Sequence, residues 1–197
     1  MQKIRLPLLL SMTVLCVCLV GCARTQATRY YTLSPMEASP EGEPGRSALA
    51  IGVGPVVVPE YMDRPQMMTM AGPNELGFSE FHRWAEPLEA MLTRTLKENL
   101  AVLLGTEHVS AYPWPGDFEP DVVVAVEILR FGPGPDGAVV LDARWLAGSV
   151  GDPGPVQRTT VGISAGAGDY AAIAAAAGRA VADLSREIAA SIGPGGG

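Results

Sequence analysis

Histidine, cysteine, serine and paired carboxylates are the side chains from which nucleophiles, proton relays and metal sites are built, and this chain uses them sparingly. Its two histidines, His82 and His108, are not at metal-ligand spacing, and neither has an evident partner, so each reads as structural or solvated. Ser149 and Ser164 lie among glycines, but no G-x-S-x-G elbow surrounds them and no base is evident. Gly132, Gly134 and Gly137 satisfy G-x-G-x-x-G, the spelling of a phosphate loop. Pro133 and Pro135 remove two amides that would face a phosphate, and a strand rather than a helix follows, so the stretch reads as a hairpin turn. Glu86 and Glu89 stand three apart at a helix start, where the helix macrodipole accounts for them. These residues point to no cofactor and no metal, and a non-enzymatic protein is expected.

The exception is Cys22. Lys3 and Arg5 precede an apolar run from Leu6 to Val20, shorter than the ~20 residues a spanning helix needs, and this is the form of a secretory leader. Leu19-Val20-Gly21-Cys22 resembles a bacterial lipobox, in which the Cys thiol takes a diacylglyceryl group, the chain is cut before it, and the new amine is acylated. Residues 1–21 are then a cleaved signal and the chain begins at a lipidated Cys22. An ordinary cleaved signal and an uncleaved anchor are the competing readings. At about 0.8 kcal/mol per buried CH₂, one acyl chain anchors marginally, whereas two or more hold a protein to a bilayer firmly.

Loss of the leader removes Lys3 and Arg5 but no acid, so the formal charge falls from −7 to −9. An acidic domain without a basic run argues against nucleic acid and against electrostatic adhesion to anionic lipid. Cys16 and Cys18 go with the leader, which leaves no thiol for a disulfide.

Residues 22–29 read as a short lipidated tether, at most about 25 Å long when extended, residues 30–193 as a single domain, and residues 194–197 as a tail. Tyr30 to Leu33 is a β-favouring start, and Pro40 to Gly45 a solvated loop. Ala48 to Val58 is apolar throughout, which places it centrally in a sheet. Gln66 to Met70 and Phe78 to Trp84 predict two further strands. Pro87 to Leu104 carries Leu88, Met91, Leu92, Thr95, Leu96, Asn99, Leu100 and Leu103 on one helical face, with Pro87 at the first helical position and Gly105 as its stop. Val109 to Tyr112 is a short strand; Val122 to Phe131 and Ala138 to Leu146 form a hairpin in which Val139, Leu141, Ala143 and Trp145 share one face. Val156 to Ser164 adds a strand. Asp169 caps a second helix, Tyr170 to Ile192, with Ile173, Ala177, Ala180, Val181, Leu184, Ile188 and Ile192 inside. The expected fold is an α/β (α+β) sandwich, a mixed β-sheet packed against two long amphipathic helices.

Tyr61, Met62, Met67, Met68 and Met70 form an aromatic and Met-rich cluster, with Arg64 among them and Trp84 ahead of the first helix. Met-rich surfaces adapt to partners, and Met equally fills irregular cores. Tyr61, Met62, Arg64, Met67, Met68 and Trp84 are therefore candidate contacts for a partner or lipid, with core packing the alternative for Tyr61, for the methionines and for Trp84.

Tyr30-Tyr31-Thr32-Leu33 shortly after a lipidated Cys, then Val53-Gly54-Pro55, then Pro59-Glu60-Tyr61-Met62-Asp63-Arg64-Pro65-Gln66, then Phe81-His82-Arg83-Trp84-Ala85-Glu86-Pro87-Leu88, and a closing helix with Leu184-Ser185-Arg186-Glu187-Ile188, occur in one order along the chain. This series resembles the PqiC/YmbA-type family, the ABC-type transport auxiliary lipoproteins. Met62 stands where Leu is usual, and Met67 and Met68 where β-branched residues are usual. The resemblance implies an accessory lipoprotein of an MCE-type intermembrane lipid transport system, acting as a docking adaptor or receptor. It implies an outer-membrane location facing the periplasm, since Ala23 rather than Asp follows Cys22. Expected partners are an MCE-domain tunnel protein, its permease components and phospholipid, with cyclic self-association on the tunnel axis. The competing function is an envelope assembly chaperone with no part in transport.

Overall fold

The computed structural model describes residues 26–37, 48–72, 74–166 and 168–192. The leader at 1–21, Cys22, the start of the tether, the loop from Pro40 to Gly45 and the tail at 194–197 lie outside the described residues. Eight strands and two helices follow in the order β1 (Arg29–Tyr31), β2 (Ile51–Val57), β3 (Gln66–Gly72), β4 (Glu75–Trp84), α1 (Leu88–Leu104), β5 (Val109–Ala111), β6 (Val122–Pro133), β7 (Ala138–Gly148), β8 (Gln157–Ser164) and α2 (Tyr170–Ile192).

The α+β class and the two long helices are as the sequence predicts, but the strands divide between two mixed sheets. The larger has the order β5-β2-β6-β7-β8 and the smaller β1-β4-β3. In the larger sheet β2 pairs in parallel with β5 and β6, and the β6–β7–β8 meander is antiparallel. In the smaller sheet β1 runs parallel to β4, and β3 antiparallel to it. β2 is flanked on both sides, and Ile51, Val53 and Val56 are buried, as its continuous apolar run requires. Gly54 and Pro55 interrupt it: Gly54 sits at φ 124°, and the register with β6 shifts between Val53 and Val56.

The helices cover one face of the larger sheet. Val139, Leu141, Ala143 and Trp145 of β7 are buried on that side, whereas Arg144 is exposed and Asp142 half-buried on the other. Ion pairs cross the outer face, Arg158 to Asp142 at 2.7 Å and Arg144 to Glu127 at 3.3 Å. The Asp142 carboxyl is held below the usual carboxylate range, first by its hydrogen bond from Arg158 and further by Thr160, with desolvation opposing both.

All seven residues read onto the inner stripe of α2 are buried, and Asp169 caps the helix, its Oδ1 accepting from the amides of Ala171 and Ala172 at 3.1 and 3.0 Å. In α1, Pro87 is the capping residue rather than the first helical one, since its ψ of 139° is extended. Gly105 ends α1 in the left-handed region, φ 63°, with its amide on the Ala101 carbonyl. Leu103 is only half-buried, so the inner stripe of α1 closes at Leu100. The two polar members of that stripe are buried with partners. Thr95 Oγ1 donates to the Met91 carbonyl at 2.8 Å. Asn99 donates to Ser185 Oγ of α2 at 3.0 Å and accepts the Met36 amide at 2.7 Å.

Candidate functional site

The Met-rich cluster forms around a turn between β2 and β3. The Pro59 carbonyl accepts the amides of Met62 at 2.9 Å and Asp63 at 3.3 Å, and the Pro65 carbonyl accepts the Trp84 amide at 2.7 Å, which ties the turn to β4. This folding drives Met62 inward and leaves its neighbour Tyr61 42% exposed. Met62, Met67, Met68 and Trp84 are all buried, and Trp84 lies with its ring centroid 6.3 Å from that of Phe131. Core packing therefore takes these four off the surface and out of the candidate contact set. The physical reason is that the corner where the smaller sheet meets β6 and α2 is irregular, and unbranched thioethers fill it. The void left there measures about 10 Å³ and is lined by Met62, Met67, Met68, Trp84, Phe131 and Ile173 among others. That is the room of one water at most, far below the ~300 Å³ at which ligand pockets begin, so no lipid chain is housed in it.

Of the candidate contacts, Tyr61 and Arg64 remain outside. The Arg64 guanidinium stands 5.6 Å from the ring centroid of Phe78, a cation–π distance. Phe78 is 43% exposed and Leu76 36%. Sequence reading placed Phe78 at the start of a strand and overlooked Leu76 altogether. The signal available was an apolar residue at both positions of a β4 segment that the core does not need. Phe78 also borders an open cleft with Gln66, Ser79, Glu80 and Arg83. A second groove, about 580 Å³, runs between residues 31–37 and the small side chains of α2, where Gly178 lets the Ser34 carbonyl approach; a Cβ there would stand 3.3 Å from it.

Of the residues considered for catalysis, His82, Glu86 and Ser149 have structural partners, and Ser164 is exposed on β8. His82 Nδ1 lies 2.8 Å from the Tyr31 hydroxyl, and its ring stacks on Tyr170 at 3.9 Å between centroids, so it joins β1 to α2. His108 is exposed. Glu86 is bound by Arg94 at 2.7 Å, so an ion pair, and not the macrodipole alone, accounts for it. That carboxylate is the chief reason the Arg94 guanidinium is raised further above its already high range. Ser149 lies in a turn with Asp152, whose amide donates to its Oγ at 3.1 Å. Gly134 and Gly137 form the tip of the β6–β7 hairpin, with the Gly134 amide on the Ala138 carbonyl at 2.8 Å, so the hexapeptide is the hairpin turn the prolines predict. Among the described residues no three His, Cys, Asp or Glu side chains converge as metal ligands, and no helix is long and apolar enough to cross a membrane.

The model of the ABC-type transport auxiliary lipoprotein component family matches residues 31–189. No curated protein matches this chain. Among solved structures, an uncharacterized protein superposes with a TM-score of 0.69 at 23% identity, over 85% of this chain and 99% of its own. Protein XCC0632 from Xanthomonas campestris superposes with a TM-score of 0.70 at 18% identity, over 84% of this chain and 94% of its own. At these identities the likeness is one of fold.

Proposed function

This chain belongs to the family of ABC-type transport auxiliary lipoprotein components, and from that membership we propose that it is a non-enzymatic adaptor or receptor, anchored through acylated Cys22, in an MCE-type intermembrane lipid transport system. It sits at the outer membrane facing the periplasm. There it engages an MCE-domain tunnel protein and its permease components, repeats as a cyclic oligomer about the tunnel axis, and hands phospholipid to or from the tunnel. The observation that carries this reading is the family match over residues 31–189, nearly the whole domain. Supporting it, the interior holds no lipid-sized chamber at the Met cluster, which suits a protein that touches its partners by its surface. Tyr61 is the residue offered for that contact: its turn is fixed to Pro59 and weighted by buried Met62, so the ring is presented at little entropic cost.

A photo-crosslinking amino acid at Tyr61 in intact cells tests the proposal, with the captured protein identified by mass. Capture of an MCE-domain protein is the expected result, and capture of outer-membrane assembly factors in its place rejects the transport role. In parallel, Cys22→Ala is expected to leave the membrane fraction; retention there rejects the lipid anchor.

A further inference from the structure

The smaller sheet fixes the end from which the chain enters the domain. β1 is the first described strand after the tether, and it runs parallel to β4 with Arg29 level with His82. Parallel strands start at the same end of a sheet, so the chain arrives from the end where β4 begins. That end carries the turn of the β3–β4 hairpin, between Gly72 and Glu75. Measured along β3, from Gln66 level with Arg83 to Gly72 level with Glu75, the hairpin extends about 20 Å in that direction, at ~3.3 Å per residue. The tether from Cys22 to Arg29 spans at most about 25 Å. A fully stretched tether thus outreaches the hairpin by only about 5 Å, so a tether with any slack leaves the turn within reach of the lipid.

The hairpin is built for that meeting on one side. Met70 lies opposite Leu76, and directly opposed residues share a face; Met68, opposite Phe78, is buried, so the open part of that face is made by Leu76, Phe78 and Met70. Leu76 and Phe78 are exposed and Met70 is half-buried, while Arg64 stands beside the Phe78 ring. An aromatic ring and aliphatic side chains with a guanidinium behind them suit the headgroup boundary, where apolar groups enter and long cations remain with the phosphates. Glu75 at the turn and Glu80 farther along β4 are exposed too, so the contact is made by apolar insertion and not by net positive charge.

We infer that the Leu76 and Phe78 end of the β3–β4 hairpin rests on the surface of the bilayer that holds the acylated N-terminus, and so sets the upright orientation of the domain. The inference relies on the Cys22 anchor of the proposed function and adds a second contact to it. Once Cys22 is acylated the chain has no free thiol, so a single cysteine can be placed at will. Full-length acylated protein carrying Phe78→Cys, Leu76→Cys or Ala85→Cys is labelled with an environment-sensitive fluorophore and reconstituted in phosphatidylcholine vesicles. Ala85 is exposed at the opposite end of β4. With lipids bearing a nitroxide near the headgroup, labels at 76 and 78 are expected to lose emission and to shift to the blue, and the label at 85 to do neither.

An acylated, vesicle-bound protein whose labels at 76 and 78 remain as open to an aqueous quencher as the label at 85 overturns the inference while leaving the anchor intact. Labels shielded from water yet unquenched by lipid assign the face to a second copy of the chain and overturn it as well. Protein that intact mass shows to be unacylated at Cys22 overturns the anchor itself, and the inference falls with it.

Discussion

Asn99 is a fully buried side chain that joins three parts of the domain, and replacing it with alanine has a calculable effect. Its amide donates to Ser185 Oγ at 3.0 Å, joining α1 to α2, and its carbonyl accepts the Met36 amide at 2.7 Å, joining α1 to the segment after β1. Two net hydrogen bonds contribute about 1 kcal/mol each, and the Met36 amide left without its acceptor adds roughly 1 kcal/mol more. Ser185 keeps its own bond to the Val181 carbonyl at 2.7 Å, so the hydroxyl is not stranded. The sum is about 3 kcal/mol. For a domain of this size each kcal/mol moves Tm by ~2–4 °C, so Asn99→Ala is expected to lower it by about 6–12 °C. Thermal unfolding of the purified protein, followed by the emission of buried Trp84 and Trp145, measures the shift. Adding Ser185→Ala completes a double-mutant cycle whose coupling is about 1 kcal/mol, because removing both partners of a bond costs less than removing them separately. A loss below about 2 °C, under 1 kcal/mol by the same scale, or strict additivity of the two changes, would refute the claim that this pair joins the helices.

Asp142→Asn removes a carboxylate held below its usual range by Arg158. The folded value being the lower one, its stabilisation is complete above the unfolded carboxylate range and is lost as pH falls through the folded value. The wild type should therefore lose stability as pH falls below about 4, the unfolded carboxylate range, by a margin that the variant lacks, as read from Tm on acidification. Gly148→Ala would place a Cβ 2.4 Å from the Asp152 carbonyl oxygen and 2.5 Å from the Pro153 carbonyl carbon, both backbone atoms that cannot swing aside. A loss of about 3 kcal/mol or more in denaturant titration is expected, against a few tenths for Gly162→Ala, whose Cβ meets nothing. Thr159→Val removes the oxygen that accepts the Trp145 indole N–H at 2.9 Å and the hydroxyl that donates to Glu187, and should cost roughly 2 kcal/mol by equilibrium unfolding.

Elements whose periodicity comes from local geometry were legible. The bounds of α2, the capping by Asp169, the β6–β7 hairpin and the inward face of β7 follow from spacing alone, and so did the inner placement of Thr95 and Asn99. Their partners were not legible, since Ser185 lies 86 positions from Asn99 and nothing in either helix announces the other. The split into two sheets was hidden for the same reason: strand order depends on long-range pairing, and the parallel match of three-residue β1 to β4 leaves almost no local trace. At the Met cluster, composition permitted both core and surface. Only the fold of the turn on the Pro59 carbonyl separates buried Met62 from exposed Tyr61. Phe78 was missed as a contact because β-propensity places it in a strand without telling which side the core lies on, and Leu76 because the predicted strand begins at Phe78 whereas β4 begins at Glu75.

The parallel docking of β1 on β4 also governs how the domain bears tension. A tug from an N-terminal attachment pulls along the strand, so the rungs to β4 are sheared together and do not open one after another like a zip. Behind them the Ala85 amide holds the Tyr31 carbonyl at 2.8 Å, the Arg94 guanidinium reaches the Thr32 hydroxyl at 3.1 Å, and the Leu33 amide meets the Met91 thioether at 3.3 Å. The pull is handed within a few residues to α1, and through Asn99 to α2, so a jostled membrane drags on the body of the protein and not on a loose thread.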